Sequence, residues 1–179
     1  MKKADVKKLV VAAMFTALAV SLSTFSFPIG ASKCFPIQHM VNVLCAVFLG
    51  PWYGVLVAFC TSLIRNLLGT GTLLAFPGSM VGALCCGLAY KLSQKYIPTY
   101  IAEVVGTGVI GGLVAFPVAS LVMGKEAALF TYVVPFLVST AGGTVIAALL
   151  ITVLYKSHAI NTLTSLLEND SPVSKSKAS

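Results

Sequence analysis

Acidic side chains are almost missing from this chain: Asp and Glu number 5 in 179 residues, and Asp5, Glu168 and Asp170 lie in the two termini. Acid–base or metal catalysis inside a membrane normally needs more than the one carboxylate, Glu103, that sits in an apolar run. There is no GxxxxGK[ST] loop, so the chain has no ATP-hydrolysing phosphate cradle of its own. HExxH and GxSxG are missing as well. The chain therefore reads as a non-enzyme without a cofactor or a metal. Cys34, Cys45, Cys60, Cys85 and Cys86 are odd in number and form no CxxC pair. Neither a disulfide framework nor a zinc site is indicated, and the five read as small packing residues.

Charge of either sign is scarce: 9% of residues, against about 25% in a soluble domain. Arg65 is the single formal charge between Cys34 and Tyr90, and Glu103 the single one between Tyr96 and Gly124. With 58% hydrophobic residues and a mean hydropathy of +0.96, this is an all-α integral membrane protein, since lipid has no water to satisfy an open backbone. Met1 to Lys8 has the basic look of a signal-peptide n-region, but no convincing cleavage site follows before Pro28, so it reads as the start of a retained first helix.

Breaks at proline, glycine and charge predict six transmembrane helices: about 8–27, 39–50, 52–68, 77–91, 100–123 and 128–155. The second is short, because 12 residues rise only about 18 Å. Either it starts earlier, near Pro36, or the two-proline connection 28–38 dips into the membrane. Pro135 and Gly142-Gly143 are expected kink points in the sixth span. Residues 1–156 are read as one membrane domain and 157–179 as a polar, flexible cytoplasmic tail. Basic residues stay cytoplasmic. Lys2, Lys3, Lys7, Lys8, Lys91, Lys95, Lys156, Lys175 and Lys177 fall on one side and Lys33 and Lys125 on the other, so both termini are placed inside. The net charge of +7 then reflects topology and anionic lipid rather than nucleic acid. No inverted repeat is evident, and the length leaves no room for two transporter halves.

Polar residues in apolar runs are the candidate site. Gln38, His39 and Asn42 open the second span, with Gln38 and Asn42 on one helical face. Arg65 and Asn66 end the third, Thr70 and Thr72 follow in the loop, and Phe76 and Ser79 lead into the fourth. All belong to the outer end by the charge count. Structural readings stand beside the functional ones: His39 capping a helix, Arg65 snorkelling or holding a loop through backbone carbonyls, Asn66 pairing locally. Glu103 is expected near the cytoplasmic side, paired with Lys91 or Lys95 or with a partner, and Thr107 shares its face. Ser139 and Thr140 could satisfy a broken sixth helix, and Phe35, Phe116, Tyr132 and Phe136 could wall a pocket. Ala13/Ala17, Gly78/Gly82 and Gly108/Gly112 are small-xxx-small pairs that permit close helix contact.

The runs KCFPIQHMVNVL (Lys33 to Leu44), LGPWYGVLVAF (Leu49 to Phe59), RNLLGTGTLLAFPGSMVGAL (Arg65 to Leu84) and EVVGTGVIGGLVAFPVA (Glu103 to Ala119) resemble ThiW, the thiazole-type substrate-binding S-component of energy-coupling factor (ECF) transporters. The resemblance implies a six-helix S-component in a prokaryotic plasma membrane. It would capture a thiamine precursor outside and pass it inward with a membrane coupling protein and two cytoplasmic ATPases. It places Ala13 and Ala17 at the coupling-protein interface and makes hydroxyethylthiazole the expected ligand. A small neutral ring of that kind suits apolar walls with one or two polar partners; a phosphate would call for more cations than Arg65 and Lys33 supply. The alternatives are the same fold with hydroxymethylpyrimidine or thiamine, or an oligomeric channel or facilitator, although the polar positions gather toward one end rather than lining a pore. A membrane enzyme built on His39 and Glu103 is disfavoured because the two are expected on opposite sides of the bilayer.

Overall fold

The computed structural model describes residues 3–29, 32–124, 126, 128–157 and 159–168. Lys2, Lys125, Lys175 and Lys177 of the charge count lie outside the described residues. The chain folds into a helical bundle with one small hairpin. Helix α1 (Lys3–Ser21) runs through a 3-10 turn into strand β1 (Phe27–Ile29), which pairs antiparallel with β2 (Ser32–Cys34). Then come α2 (Pro36–Phe48), α3 (Pro51–Leu67) and α4 (Ala75–Ser93). Next, α5 (Tyr96–Glu103), a π-helical stretch (Val104–Gly111), α6 (Gly112–Pro117) and a second π stretch (Val118–Val122) run on without a break. Helices α7 (Val133–Lys156) and α8 (Ala159–Glu168) complete the described chain.

Among the described residues, four segments are long and apolar enough to cross a membrane: Asp5–Thr24, Ala75–Ser93, Tyr96–Val122 and Val133–Lys156. Helix α2 is a shorter apolar helix. It does start at Pro36, with the proline at its first position, where a missing N–H costs nothing. The preceding connection, expected to be irregular, forms the hairpin. Pro135 lies in the first turn of α7 rather than in its interior, and α7 passes Gly142-Gly143 as one unbroken α-helix. Part of the stretch expected to be a flexible tail is helix α8, which buries Ile160 and Leu167 and receives a hydrogen bond from Lys7 Nζ at the Leu166 carbonyl, 3.2 Å away.

The depth of α2 positions everything that follows. The Phe35 N–H donates to Ser139 Oγ at 2.8 Å, and Ser139 lies six residues into α7, about 9 Å along its axis. The Cys34 thiol donates to the Pro135 carbonyl. One turn below, Gly143 passes the Pro36 carbonyl so closely that any Cβ would collide with it. Helix α2 therefore begins near the middle of α7, and the hairpin fills the depth above it. The apolar core around α2 includes Val41, Val43, Leu44 and Cys45 with Val57 of α3 and Ala147 and Ile151 of α7. A second cluster, Leu74, Ala115, Ala119, Tyr132 and Phe136, closes the far side.

Candidate functional site

Because α2 starts deep, its first polar turn meets the one intramembrane carboxylate. Glu103, fully buried, holds three groups at Oε1: His39 Nδ1 at 3.0 Å, Asn42 Nδ2 at 3.1 Å and Thr107 Oγ1 at 3.0 Å. Asn42 Nδ2 also donates to the Ser79 carbonyl at 3.1 Å, and Thr140 Oγ1 donates to the Glu103 carbonyl at 3.4 Å. The cluster joins α2, α4, α5, the first π stretch and α7. This corrects the expected placement of Glu103 at the cytoplasmic side with Lys91 or Lys95. The helix begins at Tyr96 rather than Tyr100, which puts Glu103 two turns inside it, while α2 is recessed by the hairpin. His39 and Glu103 are in contact rather than on opposite faces. His39 turns Nδ1 to the carboxylate, a pairing that sets the imidazole's orientation much as outer partners orient metal-bound histidines.

Above this cluster lies a cavity of about 40 Å³. Phe35, Gln38, His39, Arg65, Thr72, Ser79 and Ser139 of the expected site line it, together with Lys33, Leu74, Ala75, Gly78, Thr107 and Phe136. Asn42 lies beneath. The Arg65 guanidinium carbon stands 3.6 Å over the centre of the Phe35 ring, and Nη1 donates to Gln38 Oε1 at 3.4 Å. Arg65 does not hold a loop through backbone carbonyls with its side chain; its own carbonyl does that work. Thr70 N–H and Gly71 N–H both donate to it at 2.9 Å, and the Gly69 N–H donates to the Asn66 carbonyl at 3.0 Å. Gly69, at φ +71, supplies the left-handed residue that this helix ending requires.

Asn66 and Thr70 serve the loop instead of the cavity. Asn66 Nδ2 donates to the Ser62 and Thr72 carbonyls at 2.8 and 3.1 Å, and Thr70 Oγ1 to the Arg65 carbonyl at 3.2 Å. Asn66→Ala is expected to raise amide exchange at Thr70 and Gly71 by about tenfold, the loss of roughly one neutral hydrogen bond's restraint on the loop. Exchange mass spectrometry measures it. Phe76 packs on Phe59 with ring centroids 5.6 Å apart, Tyr132 backs Phe136 at 6.4 Å, and half-buried Phe116 does not line the cavity. Leu74 and Ala75 were missed by sequence reasoning, whereas Gly78 was legible as one of the residues leading into the fourth span.

Residues 9–157 match the family model of ThiW, the thiamine-precursor transporter protein. The chain belongs to the ThiW family. Among solved structures, the crystal structure of the S-component for biotin from an ECF-type ABC transporter shares the fold, with a TM-score of 0.59 over 87% of this chain and 92% of that one, at 20% identity. Comparison with curated protein sequences finds no match. ThiW membership and the S-component fold agree with a helical membrane protein that transports rather than catalyses. Ala13 and Ala17, which the ThiW resemblance assigns to a partner, are exposed on α1, whereas Ala12 and Ala19 face the bundle. They line a groove of about 540 Å³ between α1 and α3.

Proposed function

We propose that this chain is the substrate-binding S-component of an ECF-type importer. It captures hydroxyethylthiazole at the outer face of a prokaryotic plasma membrane and passes it inward when docked to a coupling protein and two ATPases. The observation that carries the reading is the convergence of seven parts of the chain, the hairpin end, α2, α3, the loop after it, α4, the first π stretch and α7, on one polar-and-aromatic cavity. Six spanning helices with both termini inside suit the basic residues: Lys7, Lys8, Lys91, Lys95 and Lys156 lie at the end opposite Lys33. Phe35 and Phe136 supply walls for the thiazole ring.

The cavity is smaller than the roughly 300 Å³ at which small-molecule pockets begin. Capture therefore needs the lining to move. Calorimetric titration of the detergent-solubilised protein with hydroxyethylthiazole, hydroxymethylpyrimidine and thiamine tests the assignment. One-to-one binding of the thiazole alone supports it, and selective binding of another of the three would replace the substrate.

Exposed Ala13 and Ala17 form the coupling face in this reading. Changing both to leucine is expected to abolish uptake in cells that carry the coupling module and to leave the binding constant within about twofold, since neither side chain packs in the bundle. Loss of binding instead would show that α1 supports the cavity.

A further inference from the structure

We infer that the ligand bears an anionic group: the cavity takes a small heterocycle with one carboxylate set against Arg65, in preference to its neutral counterpart. The inference rests on the S-component reading and keeps its ring while changing its arm. Arg65 is 1% exposed, and Nε and Nη2 are buried without a hydrogen-bond partner. Its one side-chain hydrogen bond, to Gln38, is long at 3.4 Å. Gln38 Nε2 is likewise buried without a partner. Both side chains line the cavity.

A guanidinium taken out of water needs a counter-charge or full hydrogen bonding, and here it has neither. The Phe35 face offsets part of the desolvation, but a ring above the guanidinium plane leaves the in-plane N–H groups unspent. The one carboxylate among the described membrane segments, Glu103, is already engaged by His39, Asn42 and Thr107. The counter-charge must therefore arrive with the ligand. A planar carboxylate matches two adjacent guanidinium donors, and Gln38 Nε2 offers a third N–H. Charge count limits the ligand to a monoanion. Lys33 is exposed at the rim, where water screens it, so a dianionic phosphate would remain half-neutralised. A hydroxyl arm supplies lone pairs to the same donors without the charge, and a site built for a charged acceptor discriminates against the analogue that lacks it.

The test pairs hydroxyethylthiazole with thiazolylacetate, the same ring carrying acetate in place of the hydroxyethyl arm, titrated calorimetrically into the wild-type protein and Arg65→Gln. In the wild type the acid is expected to bind about 10- to 100-fold tighter than the alcohol, the margin of a charge-assisted over a neutral hydrogen-bonded pair. Arg65→Gln should erase that margin, weakening the acid about 10- to 100-fold more than it weakens the alcohol. Equal or tighter binding of the alcohol by the wild type overturns the anion inference and leaves the proposed function standing. Binding of neither thiazole overturns both. The wild-type comparison decides by itself if Arg65→Gln does not fold.

Discussion

Glu103→Ala is expected to destabilise the protein by about 3–5 kcal/mol, the cost of removing one partner from a buried charged cluster. Three donors from three places in the chain, His39, Asn42 and Thr107, lose their shared acceptor at once. No water from bulk can replace it, because Glu103 and Asn42 are fully buried. Thermal unfolding in detergent, followed by far-UV circular dichroism, measures the loss. Glu103→Gln keeps an acceptor oxygen in place and should cost roughly half as much, because the bonds survive without charge assistance. Substrate binding should fall with Glu103→Ala, since His39 lines the cavity and Glu103 fixes its ring. A change below about 0.5 kcal/mol, the range of an ordinary surface substitution, would mean that the cluster does not hold the helices together.

Gly82→Ala should be the next most damaging small change. A methyl there would fall on Thr107 Oγ1 and within 2.9 Å of Glu103 Oε2. Overpacking of a tight contact costs about 1–3 kcal/mol, and the upper end applies here because Thr107 Oγ1, the atom that is struck, donates to Glu103 Oε1. Thr107→Ala removes the atom that the new methyl strikes. In a double-mutant cycle, Gly82→Ala with Thr107→Ala is therefore expected to be less destabilising than the sum of the two by about 1 kcal/mol. Strict additivity would show that α4 shifts away from the π stretch without resistance.

This pair also shows what kind of information the sequence carried. Gly78 and Gly82 were readable as a close-contact stripe, because four-residue spacing puts both on one helix face. What that stripe approaches was not readable. Gly82 meets Thr107 and Glu103, and Gly78 meets the Phe136 ring. Both partners come from segments whose register against α4 depends on the whole bundle. The lone carboxylate in a long apolar run was evident as a costly residue needing a partner, yet its partner was misassigned to a lysine near in sequence. Helix depth is the reason. Hydropathy fixes that a segment lies in lipid and says little about how far along the bilayer normal each residue sits, because one apolar turn is as soluble there as the next.

The loop after α3 illustrates the opposite case. Asn66, Gly69 and the following threonines form a local ending whose hydrogen bonds span at most six residues. Side chains that look like site residues in one dimension are here spent on the backbone. Local bonding of this kind competes with ligand binding for the same residue types, which is why Asn66 and Thr70 were grouped with the cavity residues from sequence.

Composition and charge spacing by themselves determined a helical membrane protein, the order of its apolar segments and, through the central motif blocks, the ThiW family. These depend on transfer of whole segments from water to lipid, a sum over many residues that survives local error. Only the tertiary structure decided that α2 starts half-way down α7, that His39 and Glu103 meet, and that Arg65 faces a cavity with donors to spare. Those outcomes turn on a hairpin held by the Phe35–Ser139 and Cys34–Pro135 hydrogen bonds. Long-range contacts of that kind set depth and register, which no periodicity along the chain encodes.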